Sequence, residues 1–250
     1  LLEVHNLHCR FPDGSYALRG VSFSVERGEF VLVAGKNGSG KTVLMKHLNG
    51  LFQPTEGEIF LKGKPVRSLN REIAGIVGLV FENPERQFVG PTVEEDIAFG
   101  PENLGLSKEE VNTRVKESMS MVGLEGLSER NPRSLSGGEK RRVAIAGVLA
   151  MGAEIIILDE PFAGLDLPGI RHTLTTLTAL HDRGRTIILI SHDAGKAAAH
   201  ADRLIIMEDG NIAEDGRPAE VLPRVEDYGV RLPGEFDPKD PESLKRVTWL

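Results

Sequence analysis

Gly35-Lys36-Asn37-Gly38-Ser39-Gly40-Lys41-Thr42 is the stretch on which the fold class turns. An apolar run, 30–34, precedes it and a helical run, 41–49, follows, so it reads as strand, glycine-rich turn and helix with the spacing G-x-x-x-x-G-K-[ST]. Glycines let backbone N–H groups turn inward, and the following helix adds the positive end of its dipole, so a polyphosphate meets many donors there. Gly35, Asn37, Gly38, Ser39 and Gly40 are thus expected to cradle phosphates. Lys41 supplies a movable positive charge for the terminal phosphates, and the Thr42 hydroxyl is the expected Mg²⁺ ligand.

Outward from the loop, short strands are expected over 2–7, 21–25, 58–61 and 76–81. The middle of the chain changes character. Thr92 with Glu95, Ser107 with Glu110 and Ser136 with Glu139 each give the spacing of a helix-starting capping box. A helical lobe is therefore expected over 91–150, with Val111, Val115, Met119 and Val122 as an ordinary core stripe ending at Gly123. Beyond it, strands at 155–158, 186–190 and 204–207 alternate with helices at 170–182 and 194–201, which implies an α/β chain with a parallel sheet covered by helices. Glu208-Asp209-Gly210-Asn211 reads as a hairpin turn, and 223–250 as a loosely structured, proline-rich and charged tail. The expected organisation is a nucleotide-binding core in two parts, 1–90 and 151–222, with the helical insertion between them and the tail after them.

Bulk properties narrow the function classes. With 250 residues and 40% apolar content the chain supports one large domain or a core with an inserted lobe. A net charge of -7 gives no general footprint for nucleic acid. The single Cys9 excludes an intrachain disulfide and fits a reducing compartment. No apolar run approaches the ~18 residues of a spanning helix; the longest candidate, 143–158, is interrupted by Gly147, Gly152 and Glu154. The chain is expected to be soluble by itself and to reach a membrane only through a partner.

In open α/β sheets ligands gather at the carboxyl ends of the strands. Strand 155–158 leads into Asp159-Glu160-Pro161, and strand 186–190 into Ser191-His192-Asp193. Asp159 is placed to hold Mg²⁺ through its water shell, and Glu160 to orient or deprotonate an attacking water. His192 is placed to hydrogen-bond the terminal phosphate. An acidic pair after a strand is often only a helix cap; beside the glycine loop that simpler reading loses ground.

Leu135-Ser136-Gly137-Gly138-Glu139 resembles the signature motif of ATP-binding-cassette (ABC) ATPases. Its hydroxyl and paired glycines at a helix start form a second anion cradle. The resemblance extends over residues 1–222 and implies a P-loop core with a mostly parallel sheet, an N-terminal antiparallel β subdomain and an inserted α-helical subdomain. It implies that two such chains, identical or homologous, pack head to tail, with Ser136, Gly137 and Gly138 of one closing on ATP and Mg²⁺ held by the other. It further assigns Phe11 to stacking on adenine, with Tyr16 second, Asp166 within Ala163-Gly164-Leu165-Asp166 to the loop bridging the two sites, and His192 to the switch position.

The run 87–106 (QFVGPTVEEDIAFGPENLGL), with Lys46-His47-Leu48-Asn49-Gly50, is similar to the ATPase subunits of energy-coupling-factor importers. That resemblance implies a transmembrane coupling subunit, a membrane protein that captures a vitamin or cobalt or nickel ion, and a peripheral position on the cytoplasmic face of the membrane. One position departs from the family, which has glutamine after Val80-Phe81; here it is Glu82. A carboxylate keeps the acceptor, loses the amide donor and adds charge beside the phosphates, so Glu82 is expected to approach Mg²⁺ and to retune hydrolysis.

Other features carry less. His5, His8 and Cys9 are close in sequence, but strict strand alternation puts the two histidines on opposite faces. Lys140-Arg141-Arg142 is expected to be a solvated or subunit-facing stretch rather than a nucleic-acid patch. A soluble ATP-switched clamp on DNA or ribosomes is the second functional class, but the chain between Lys41 and Leu135 has no sustained heptads, and translation-linked relatives usually carry two cassettes. A small-molecule kinase would share the phosphate loop and leave Leu135 to Glu139 without a role.

Overall fold

The computed structural model describes residues 1–232, 236–237 and 240–246. In chain order the strands are β1 (Leu2–Arg10), β2 (Tyr16–Val25), β3 (Phe30–Ala34), β4 (Glu56–Leu61), β5 (Lys64–Pro65), β6 (Val77–Val80), β7 (Ile155–Asp159), β8 (Thr186–Ser191), β9 (Arg203–Glu208) and β10 (Asn211–Gly216). The helices are α1 (Lys41–Leu48), α2 (Val93–Asn103), α3 (Lys108–Met121), α4 (Gly137–Ala150), α5 (Leu167–Asp182) and α6 (Pro218–Val221). Strands β2-β1-β4-β5 form an antiparallel sheet, and β10-β9-β3-β8-β7-β6 a second sheet that is parallel except for its edge strand β10.

The central strands are apolar on both faces because each face has its own core. Phe30 and Leu32 of β3, Ile156 and Leu158 of β7, and Ile187 and Leu189 of β8 turn toward the helical side. Val31, Val33, Ile155, Ile157, Ile188 and Ile190 turn to the other side and pack with α1 and the antiparallel sheet. Val111, Val115, Met119 and Val122 join the first of these cores, as their helical spacing predicts. The insertion therefore packs on the sheet and has no separate interior.

Side chains start the helices where the spacing predicts. Ser107 and Ser136 each make the reciprocal capping box with Glu110 and Glu139, and Thr92 accepts from the Glu95 N–H. Replacing Ser107 with Ala is expected to cost about 1 kcal/mol, read as a lower denaturant midpoint at unchanged slope. An unchanged midpoint would mean that the box contributes nothing.

Four expectations need correction. Strands β1 and β2 run on past 7 and begin before 21, because Asn6 (φ 47) and Gly20 (φ 79) sit at register shifts that disguise the alternation. The same bulge reverses the reading of the histidines. It puts His5 and His8 on one outward face, where His5 meets Glu3 and the edge of Phe60, and His8 meets Asn6 and Tyr16. The helix expected at 194–201 is two separate 3₁₀ turns, Ala194–Lys196 and Ala198–His200. Asp193 accepts from the Gly195 N–H and tightens the first, while Ala197 (φ -124) breaks the run. Finally, the tail is anchored: Val225, Val230 and Phe236 are buried in the helical-side core, and Arg224 and Tyr228 bond Glu214. Val225 lies in a 3₁₀ run, Leu222–Tyr228, and Val230 and Phe236 lie beyond it, so no 3.6-residue period marks them. The rest of 223–250 lies partly outside the described residues.

Candidate functional site

The phosphate loop leaves β3 at the middle of its sheet, between β8 and β9, so β7 and β8 end beside it. Its glycines are required by space. A Cβ on Gly35 would stand 2.3 Å from the Met207 carbonyl oxygen, and one on Gly40 (φ 101) 2.6 Å from that of Ala17. The turn Asp209-Gly210 holds the loop from outside. Both residues have positive φ (46 and 84), the combination that suits a two-residue hairpin, and the Gly210 N–H donates to Ser39 O while its carbonyl accepts from the Arg19 N–H. The loop is thereby tied to both sheets.

Lys41 lies 6% exposed and donates through Nζ to the carbonyls of Gly35 (2.6 Å) and Lys36 (2.9 Å). Burial pulls its pKa down, while Glu160 and Asp159 push it back up. Thr42 Oγ1 donates to Asp159 Oδ2 at 3.2 Å. Burial raises the Asp159 pKa, and the Thr42 hydrogen bond opposes that rise.

Glu160 follows β7 in a left-handed conformation (φ 45), which costs roughly 1–3 kcal/mol for a residue other than glycine. Three donors fix its carboxylate: Ser191 Oγ on Oε2 at 3.0 Å, and the His192 N–H (2.6 Å) and Nδ1 (2.8 Å) on Oε1. The end of β8 therefore orients the residue at the end of β7.

These groups surround a cleft of about 640 Å³ together with Glu82, Phe11 and Tyr16. The Tyr16 ring is already taken by the guanidinium groups of Arg10 and Arg19, at 5.5 and 5.4 Å from its centroid. Phe11, 40% exposed, has no ring contact among the described residues and remains the freer stacking platform. Glu82 is exposed and lines the cleft. Gln87, which shares the amide the family uses, is committed elsewhere: it accepts from the Phe81 N–H and donates to Leu79 O, continuing the strand end.

Ser136, Gly138 and Asp166 are not brought to this cleft. Ser136 is exposed at the start of α4, with Oγ donating to its own Glu139 carboxylate at 2.7 Å. Asp166 caps α5 by accepting from the Gly169 N–H, and Gly138 packs against Gly169. Gly137 borders a second groove, of about 1000 Å³, shared with Thr42, Glu82, Asp159 and the exposed Leu51 and Phe52.

The expected solvated stretch at 140–142 needs correction too. Arg141 is 2% exposed and donates through Nη1 to Phe81 O at 2.8 Å, and Lys140 pairs with Glu85. The signal was present in the helical period, since Arg141 shares its face with the buried Ile145 and Val148.

The cleft fits a nucleoside triphosphate with a divalent cation. Inward-facing glycine turns without room for side chains match phosphate oxygens, and the Thr42 hydroxyl with the Asp159 carboxylate is an oxygen donor pair suited to Mg²⁺. Two similar groups of proteins bear on this. A family model described as ABC transporter matches residues 18–163. The energy-coupling factor transporter ATP-binding protein EcfA of Methanocaldococcus jannaschii is 47% identical over 239 residues, 93% of this chain and 86% of that one. Its Methanococcus maripaludis counterpart is 42% identical over the same shares. Among solved structures, cbiO1 of Clostridium perfringens, part of the transporter complex cbiONQ, superposes with TM-score 0.83 at 35% identity, covering 90% of this chain and 91% of that one. A dimeric ATP-binding cassette in a post-hydrolysis state with ADP and Pi gives 0.76 at 28% identity, covering 87% and 99%.

Proposed function

Since this chain belongs to the ABC transporter family, we propose that it is the ATPase of an energy-coupling-factor importer and drives uptake of a vitamin or of a cobalt or nickel ion. It hydrolyses ATP, and hydrolysis is coupled to transport. The phosphate-loop amides and Lys41 hold the phosphates, and Thr42, Asp159 and Glu82 hold Mg²⁺, which when bound neutralises charge on the phosphate oxygens. Glu160 orients the attacking water and accepts its proton, and His192, bonded to that carboxylate, keeps it aimed at the cleft.

The single observation carrying this reading is the arrangement of Glu160 and His192 beside the phosphate loop while Ser136 faces outward from the same chain. The site is complete on its catalytic side and open where a second cradle would close it. A head-to-tail partner, a second copy or a sister ATPase, would bring its own Ser136, Gly137 and Gly138 to the bound phosphates, with Asp166 in the loop between the two sites. A dimeric relative in the post-hydrolysis state supports that assembly.

No helix among the described residues is long and apolar enough to cross a membrane; in this reading the membrane path belongs to other subunits. The groove of about 1000 Å³ joins an apolar lip, Leu51 (57% exposed) and Phe52, to Glu82 at the cleft. A helix of the transmembrane coupling subunit seated there would touch Glu82, one of the residues that would hold Mg²⁺, and the substrate-capture protein would bind through that subunit. The working position is then the cytoplasmic face of the membrane. Purification of the chain from detergent-solubilised membranes is expected to retain two kinds of membrane protein, a coupling subunit and a capture subunit. Recovery with ribosomes or DNA would overturn the transport reading.

A further inference from the structure

Three basic side chains of the signature region hold the segment that carries Glu82. Arg133 donates to Phe88 O at 2.7 Å, Lys140 pairs with Glu85, and Arg141 donates to Phe81 O. Only Arg141 does so from the interior. Its Nε is buried without a hydrogen-bond partner, which leaves a donor open to an approaching carboxylate.

We propose that Arg141 is a positioning residue for ATP hydrolysis: from the signature helix it fixes the Phe81-Glu82 turn and stands as the built-in counter-charge to Glu82 beside the phosphates. The proposal rests on the reading that Glu82 faces Mg²⁺ and the nucleotide.

The argument is one of charge. A glutamine at position 82 would bring no charge to the cleft, whereas Glu82 adds a carboxylate to Asp159 and Glu160 where triphosphate must bind. From the loop, Lys41 feels the charges of Glu160 and Asp159 and lines the same cleft as Glu82. Arg141 lines the same groove as Glu82 and Asp159. Burial lowers its pKa to about 10, and the Glu82 and Asp159 charges act against that fall, so it stays a cation at neutral pH. Arginine suits the place because its planar fork can hold the Phe81 carbonyl and still offer Nε and Nη2 to an approaching carboxylate.

The test is a double-mutant cycle on the intact chain, with Arg141→Met, Glu82→Gln and both together. ATP affinity is read by equilibrium binding with and without Mg²⁺, and turnover by Mg²⁺ titration. Arg141→Met is expected to weaken ATP binding about tenfold when Glu82 is present, and less than about twofold in the Glu82→Gln background. Equal weakening in both backgrounds, or none in either, overturns the counter-charge. The Glu82 reading fails separately, if Glu82→Gln alone leaves the Mg²⁺ dependence of turnover and of ATP binding unchanged. Should Arg141→Met not fold, Arg141→Lys carries the test, because it keeps the charge and loses the fork. ATP affinity within about threefold of the native value supports a counter-charge, and any larger loss overturns it.

Discussion

Glu160→Gln is expected to retain ATP and to lose turnover by about 10²–10³-fold. The substitution preserves shape and one carbonyl oxygen, so the contacts from the His192 N–H and Nδ1 can persist. Ser191 Oγ, which donates to the other carboxylate oxygen, can rotate to accept from the new amide instead. What disappears is the group able to take a proton from water. Nucleotide binding rests on the loop, Lys41 and Thr42, none of which is hydrogen-bonded to Glu160. The outcome is a protein that fills its site and stays there, with the closed dimer favoured. Single-turnover hydrolysis and size-exclusion chromatography with ATP measure the two halves of this result, and normal turnover would remove Glu160 from its role.

Lys41→Met is the second large effect, and it separates binding from stability. The ammonium is buried and bonded to loop carbonyls, and burial has already lowered its pKa, so its charge is costly to the empty protein. Met has comparable length and no charge to desolvate. The melting temperature without nucleotide is therefore expected to hold within about 3 °C. ATP affinity falls by at least about tenfold, since the one mobile cation reaching the terminal phosphates is gone. Stabilisation by ATP, about 2.7 kcal/mol at a hundredfold excess over Kd, shrinks accordingly. A nucleotide-dependent shift equal to that of the native chain would exclude Lys41 from phosphate binding.

The elements of the candidate site are legible in the sequence because they are local. A glycine loop between a strand and a helix, acids directly after a strand, and a Ser-x-x-Glu cap are all set within a few residues, and each occupies the place expected of it. The turn at Asp209-Gly210 was equally legible; its contact with Ser39 was not, since that bond spans most of the chain. Misreadings had three causes. Bulges at Asn6 and Gly20 shift parity, so counting by twos assigns the wrong face to His5 or His8. By residue type alone the arginine at 141 reads as solvated; its helical position, on the face it shares with Ile145, puts it in the interior. The burial of Val225 and Val230 depends on a sheet face far away in sequence, and short 3₁₀ turns leave no period to find.

The apolar layer that the helical insertion shares with β3, β7 and β8 has an implication for how the chain can be divided. Residues 91–150 look like a detachable module in sequence, with their own caps and their own amphipathic stripe. Excised, they would bare the β6 end of that layer, where Val148 of α4 stands over Gly78, while α5 would still cover Phe30 through His181. The insertion is thus also part of the cover of the nucleotide-binding sheet, and shuffling it between relatives would require matching that buried edge along with the signature.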